Sequence, residues 1–416
     1  MVSVRNVPRV RAHAGKVSSL NRGKFVTVSM AATTLGVLGH STVARAFEPY
    51  SAPDRLGSAL VLAGGGARGA YEAGIVEGLR RAANVGDGHR IPGIDLVCGT
   101  SIGSVNAWFV ATGQYSKLRD LWANIASDNP FALKKRFAAT GKPGAFFGTK
   151  FVEGMSLSEG LTKNVRGVLD GDKIQAWLAK NVDPSQPCIV PLAFTATNLD
   201  RDRTEIFYRT VSALPRATRA RGMERLWGTI GGSTVARVAT NALLLTELQA
   251  SAAIPILFDP IELPSVDGGV DHFVDGGVSD NSPLDLARAF AHTVCLILVE
   301  PQTPGRARYE NALQIAIRVD GIEANRMFDD SLRAAYDDTR EKRLFANGSL
   351  SPAERAYESH VLDTELFYMR PRSELAVGFL EFDQQDKIDS AYSAGVEDIA
   401  DGWIPYRQPA PGRAQT

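Results

Sequence analysis

Several things that would steer a reading of this 416-residue chain are missing from it. It has three cysteines, an odd number with no Cys-x-x-Cys pair, which argues against both a disulfide framework and a thiolate metal site. Its six histidines form no cluster, so neither a metal nor any other cofactor is expected. The formal net charge is zero, which gives no footing for nucleic acid. No internal repeat and no true linker divides the chain. What remains is 44% hydrophobic and 22% charged residues, the composition of a globular protein with a sizeable core.

The zero charge conceals an asymmetry. Residues 1–46 hold Arg5, Arg9, Arg11, Lys16, Arg22, Lys24 and Arg45 and no acid, so 39 Lys and Arg face all 46 Asp and Glu in the rest. The basic start gives way to a diluted apolar run, Phe25 to Gly39, too short to span a bilayer, and then to a small-x-small pattern at Ala44-Arg-Ala46. Residues 1–46 are therefore read as a targeting segment, with export to the periplasm or medium expected. The competing readings are an organelle transit peptide and a cytoplasmic protein whose true start lies nearer Met30.

The stretch Asp95-Leu-Val-Cys-Gly-Thr-Ser-Ile-Gly-Ser104 organises the remainder. A short apolar strand runs into Gly99-Thr-Ser101-Ile-Gly103 and then into a helical rhythm of Val105, Trp108 and Phe109. That pattern describes a nucleophile elbow with Ser101 at its apex. About 30 residues earlier, the apolar run Ser58–Ala63 breaks into Gly64-Gly-Gly-Ala-Arg-Gly69 before a helix from Ala70 to about Ala82. A glycine loop at a helix N-terminus cradles anions. A strand–helix–strand crossover of this size brings the loop and the elbow to one edge of a parallel sheet, which favours an oxyanion hole. A dinucleotide site, for which Gly64, Gly66 and Gly69 satisfy G-x-G-x-x-G, and a turn without ligand are the alternatives. Gly74 and Gly78 give the helix a small face for close packing on the sheet.

Further strands are expected at Ile189–Thr197, Glu205–Tyr208 and Thr293–Val299, and helices at Gln114–Ile125, Lys173–Asn181 and Leu243–Ala252. Between them, Pro130–Phe137 and Pro143–Gly148 mix phenylalanine with Lys134, Lys135 and Arg136. They suit either a lipid surface or acyl pocket, or ordinary core packing. The arginines from Arg209 to Arg225 suit an anionic surface, though a solvated or ion-paired face is the preferred reading. Residues 306–416 carry mostly helical pattern, so the divisions are a leader 1–46, a core 47–305 and a helical extension 306–416 of the same domain.

A serine hydroxyl needs a base. No histidine sits in a loop that follows a strand: His13 and His40 lie in the leader, His89 in a turn, His292 at the start of a strand, and His272 and His360 elsewhere. Asp275 follows Phe273-Val274 and precedes Gly276-Gly277, where loops past strands gather catalytic groups. The same tetrapeptide, Asp-Gly-Gly-Val, also occurs at Asp267, and a turn aspartate is the plainer reading of either.

Taken in order, Gly64–Gly69, Gly99–Gly103 and Asp275-Gly-Gly resemble the signature of the patatin-like phospholipase family. Ser251-Ala-Ala-Ile-Pro255 and Asn281-Ser-Pro283 match as supporting stretches, and the resemblance spans about residues 56–300. It implies a three-layer α/β/α fold with a mostly parallel central sheet and the helical C-terminal region packed on it. It implies Ser101 as nucleophile and Asp275, which has Asn281 and Pro283 at the family spacing, as general base. Gly64, Gly65, Gly66, Arg68 and Gly69 would form the oxyanion hole, with Gly65, Gly66 and Arg68 as N–H donors, and Gly99 and Gly103 would support the elbow. The implied substrate is a phospholipid or other acyl-ester lipid, met in transient contact with a membrane surface, without nucleic acid, metal or cofactor. Ser104 departs from the Gly or Ala of many members. A catalytically silent lipid-binding or scaffold member, and a nucleotide-binding protein using Gly64–Gly69, remain as alternatives. Headgroup, acyl position and oligomeric state are not set by the sequence.

The leader reading has a direct check. N-terminal sequencing of the full-length chain expressed in a bacterium is expected to find the mature start at Phe47; an uncleaved chain confined to the cytoplasm would support the later start.

Overall fold

The computed structural model describes residues 56–135, 167–211, 235–301 and 365–406. The leader, the stretch from Arg136 to Gly148, the arginines beyond residue 211 and the region 306–364 lie outside them. Along the chain come β1 (Leu56–Leu62), a 3-10 turn (Gly66–Arg68), α1 (Gly69–Ala82), β2 (Leu96–Thr100), α2 (Ile102–Ala111), α3 (Tyr115–Asp128) and α4 (Gly171–Asn181). These are followed by β3 (Leu192–Asn198), β4 (Arg203–Arg209), β5 (Val235–Val238), α5 (Leu244–Ser251), β6 (Ile261–Pro264) and β7 (Val270–Asp275). A second 3-10 turn (Gly276–Val278), α6 (Leu284–Phe290), β8 (Ala291–Ile297), β9 (Glu365–Met369), α7 (Gln385–Ala400) and β10 (Ile404–Pro405) complete the series.

The strands build one 10-stranded sheet in the order β10-β9-β8-β1-β2-β3-β4-β5, with β7 on β3 and β6 on β7. From β9 through β3 every neighbour is parallel. Such strands are covered on both faces and so read as continuous apolar runs. Their side chains alternate between two layers. Leu60, Leu62, Val97, Phe194 and Ile297 join residues of α1, α2, α3, α4, α5 and α7, whereas Ala59, Val61, Leu96, Ala193 and Leu296 join Leu284, Leu286, Ala287 and Phe290 of α6. This is the three-layer α/β/α arrangement that the sequence motifs imply.

Pattern and structure differ in instructive places. Phe131 belongs to the core: its ring stacks on Phe382 at 3.7 Å between centroids, while Lys134 pairs with Asp259 at 2.7 Å. Arg209 is buried, lies over the Trp108 ring at 5.1 Å, and donates to the carbonyls of Ala239 and Pro184 and to Asn241 Oδ1, so it is neither a solvated charge nor a headgroup contact. All three cysteines are free, and burial pushes each thiol pKa up, as suits small core residues. Beyond residue 364, β9 and β10 extend the sheet within a region whose sequence pattern is mostly helical. No described helix is long and apolar enough to cross a membrane.

The small face of α1 is a correction. Gly74 and Gly78 pack on α7, not on the sheet: a Cβ on Gly74 would overlap the Tyr392 carbonyl, and one on Gly78 the Ile399 side chain. Gly395 of α7 answers from the other side, its Cα facing the backbone of Tyr71 and Ile75. Glycine on both helices lets the backbones approach, and Tyr71 Oη then donates to Asp398 Oδ2 at 2.9 Å. Gly74→Ala should gain helix propensity yet lose about 1–3 kcal/mol of stability through overpacking, as measured by urea unfolding.

Candidate active site

Three loops meet at the C-terminal edge of the parallel strands. The β1–α1–β2 crossover sets two of them side by side, since Leu62 of β1 is in register with Gly99 of β2. The third arrives along β3. Residues Leu192–Thr195 of β3 pair with β2, and Ala196–Asn198 pair with β7 coming from the opposite direction. Thr100 stands opposite Thr195 and Asp275 opposite Ala196, so β2 and β7 end against each other on a single edge.

Ser101, one residue past β2, has φ 56° and ψ −132°, a conformation costly for a residue with a Cβ and characteristic of strained sites. The turn is possible because Gly103 lies where a Cβ would strike the Leu62 carbonyl, and Gly99 where one would strike Gly103 itself. Ser101 Oγ donates to Asp275 Oδ2 at 2.6 Å, both residues being about 5% exposed or less. The bond is short for a hydroxyl donor. Asp275 Oδ1 accepts the Gly277 N–H at 2.7 Å, its carbonyl accepts Thr197 Oγ1–H at 2.9 Å, and its N–H donates to the Ala253 carbonyl at 2.8 Å. The carboxylate is thus fixed in rotation with Oδ2 turned to the serine. Ser101 N–H donates to Ser251 Oγ at 3.0 Å, and Ser104 Oγ donates to the Ser101 carbonyl at 2.6 Å.

The glycine loop lies beside the pair. A Cβ on Gly64 would stand 3.0 Å from Ser101 Cβ. Gly64 is held from two directions by Asn281, whose carbonyl accepts the Gly64 N–H at 3.1 Å and whose Nδ2 donates to the Gly64 carbonyl at 3.2 Å. Gly66 has φ 57°, a conformation that suits glycine, and its α-carbon abuts the Phe379 carbonyl. Ala67 N–H donates to that carbonyl at 2.8 Å, and Arg68 pairs with Glu300. Arg68 N–H is engaged within the turn, donating to the Gly65 carbonyl at 3.2 Å, and Gly69 N–H points to the carbonyls of Ala67 and Gly66. Among the described residues no acceptor lies against the N–H groups of Gly65 or Gly66.

The structure therefore brings Ser101, Asp275, Gly64, Gly65 and Gly66 together. Asp267 is elsewhere, in the exposed hairpin turn between β6 and β7, ion-paired with Arg201. His272 Nδ1 is 2.9 Å from Asp200 Oδ2, and His89 Nδ1 is 3.1 Å from the Asp87 carbonyl. Among the described residues no group of three or more His, Cys, Asp or Glu is arranged to hold a metal ion. Sequence reasoning assigns no roles to Ser251, Asn281, Thr197 and Phe379; the first two lie in motifs that stand out in the sequence, the last two in no local signal. Asp280, half-buried in the same loop, has its carboxyl pushed up to about 7 by desolvation and by Asp285.

A family model described as patatin-like phospholipase matches residues 60–288. A comparison with curated proteins returned no match. Among solved structures, the chain is similar to VipD from Legionella pneumophila, at 14% identity over 84% of this chain and 67% of that one, with a TM-score of 0.36. It is also similar to the type III effector protein ExoU, at 15% identity over 73% and 68%, with a TM-score of 0.17.

Beneath the glycine loop sits a buried acid. Glu72 of α1 is fully enclosed, Oε2 accepting Asn106 Nδ2–H at 2.9 Å, while Oε1 has no hydrogen-bond partner. Asn106 Nδ2 also donates to the Gly69 carbonyl at 3.0 Å, and Asn106 Oδ1 accepts from Trp122 Nε1 at 2.9 Å. Burial holds the Glu72 carboxyl well above the usual glutamate range, against the pull of its bonds to Asn106 and the Ala63 backbone. Folding thus requires a proton that the unfolded chain gives up above about pH 4.3, and the stability tied to it is lost as pH rises. Glu72→Gln should match the wild type near pH 4 and gain on it by up to about 1.4 kcal/mol per pH unit above that. Urea midpoints taken from pH 4 to 8 test this; parallel curves would mean that Glu72 is ionised in the fold.

Proposed function

The chain belongs to the patatin-like phospholipase family and is a lipid hydrolase; from that premise we propose that it cleaves carboxylic esters of lipids through a Ser101–Asp275 dyad. The observation that supports this most strongly is the 2.6 Å hydrogen bond from Ser101 Oγ to Asp275 Oδ2, formed at a strained elbow where helix α2 begins. The N-terminus of α2 favours negative charge near the serine, and the unengaged N–H groups of Gly65 and Gly66 stand on the neighbouring loop.

In the first step Ser101 Oγ attacks the ester carbonyl carbon while Asp275 Oδ2 takes the hydroxyl proton. The carbonyl oxygen, now an alkoxide, is held by the N–H groups of Gly65 and Gly66, with Arg68 N–H as a third donor if its long bond to Gly65 opens. Collapse breaks the bond to the alcohol, which leaves with the proton from Asp275, and an acyl-serine remains. Water then gives its proton to Asp275 and attacks the acyl carbon; collapse frees the fatty acid, and Ser101 Oγ recovers the proton. No histidine is needed, because one carboxylate, its Oδ1 held by the Gly277 N–H and its backbone carbonyl by Thr197, serves both steps.

Fluorophosphonate labelling of residues 47–416, with the modified peptide mapped, tests the assignment. Label confined to Ser101 and lost in Ser101→Ala is expected. Asp275→Asn should fall by about 10³-fold or more in turnover of a short-chain ester while keeping its fold by circular dichroism. Near-normal activity in Asp275→Asn would remove it as the base. Folded wild-type protein that takes no label in the presence of lipid would favour a silent lipid binder.

A further inference from the structure

The segment that closes α5 touches both members of the dyad through their backbones. Ser251 Oγ accepts the Ser101 N–H at 3.0 Å, and two residues later the Ala253 carbonyl accepts the Asp275 N–H at 2.8 Å. Neither contact carries out a step of the reaction described above, and both are formed by a stretch whose side chains lie far from the nucleophile in sequence, Ser251 being 150 residues from Ser101.

The Ser101 N–H has an unusual need for such a partner. The pairing of β2 with β3 ends one residue earlier, at Thr100 and Thr195. Helix α2 starts one residue later, at Ile102, and its ladder does not engage this donor. With φ at 56°, the N–H is turned out of the sheet, and among the described residues Ser251 Oγ is its acceptor. Ser251 is fully buried, so water does not replace the hydroxyl at no cost. A buried donor left unpaired would favour relaxation of φ towards the extended region, and that rotation carries Oγ off the Asp275 carboxylate.

We propose that Ser251 is a positioning residue for ester cleavage, its hydroxyl oxygen holding the strained elbow by accepting the Ser101 N–H while Ala253 holds the aspartate in the same segment. The inference rests on the serine-hydrolase reading above. Packing and hydrogen bonding at this position separate by substitution: Ser251→Ala removes the acceptor, Ser251→Cys keeps the size but offers a weak one, and Ser251→Thr restores an oxygen.

The test is the rate of fluorophosphonate labelling, together with kcat and KM on a soluble short-chain ester, for the wild type and the three variants, with Tm recorded for each. Ser251→Ala and Ser251→Cys are expected to lose about 10- to 100-fold in labelling rate and kcat with KM within about twofold, since small misplacements of a nucleophile cost rate and not ground-state binding. Ser251→Thr is expected to recover most of that loss. Should Ser251→Ala fold poorly, the size-matched Ser251→Cys carries the comparison. A labelled wild type with equally fast Ser251→Ala and Ser251→Cys overturns the inference alone. Loss of rate that follows Tm across all three variants, Thr included, overturns it in favour of a packing role. A wild type that takes no label overturns the serine-hydrolase reading itself, and this inference falls with it.

Discussion

Along one edge of β3, Leu192–Thr195 are occupied by β2 running parallel and Ala196–Asn198 by β7 running antiparallel. Two strands of opposite direction cannot share an edge unless each stops where the other begins, and here the stop falls between adjacent residues of β3. The chain ends of the two strands are thereby brought to within a residue's rise of one another, about 3.3 Å along β3. Ser101 and Asp275, 174 residues apart, meet at 2.6 Å because of that register. A pair held only by loops would not be fixed so closely; here the backbone ladder of the sheet sets the distance and the side chains merely complete it.

Around this junction the polar groups are buried and joined. Thr100 and Thr195 share a hydrogen bond at 2.7 Å beneath the Asp280 carbonyl, and Thr197 links the Asp275 carbonyl to Ser279, which Thr204 reaches in turn. On the other side Glu72, Asn106 and Trp122 tie the start of α1 to α2 and α3. Inside a low dielectric such hydrogen-bonded chains are stiff, and a broken link is expensive. They brace the elbow: Ser101 keeps a disfavoured backbone conformation while its N–H and carbonyl are held by Ser251 and Ser104.

The parts of this arrangement that are local in the chain are legible in the sequence alone. The elbow and the glycine loop each declare themselves within ten residues, since the turn chemistry needs glycine at fixed places. Asp275 and Asp267 are harder to separate, because both open genuine turns; Gly268 and Gly269 have φ of 91° and 87° in the second. The residues of the two turns alone do not distinguish them: the resemblance singles out Asp275 through Asn281 and Pro283, and the pairing of β7 with β3 sets it beside Ser101. The same limit explains Gly74 and Gly78, where a small helix face is visible but its partner, α7, lies some 300 residues away. It explains the strands that escape the pattern as well: Val235–Val238, Ile261–Pro264 and Glu365–Met369 are short and mix charge with apolar residues, so no alternation of useful length marks them.

The match to the family covers residues 60–288, yet the conformation of Gly66 is secured by Phe379 and α1 is seated on α7. Arg68 and Val377, joined at this point, are separated by 309 positions. At the usual pace of translation, about 5–20 residues per second, β2 and the glycine loop leave the ribosome well before the residues that shape that loop. The glycine loop therefore takes its final shape only once a stretch some 300 residues downstream has been made.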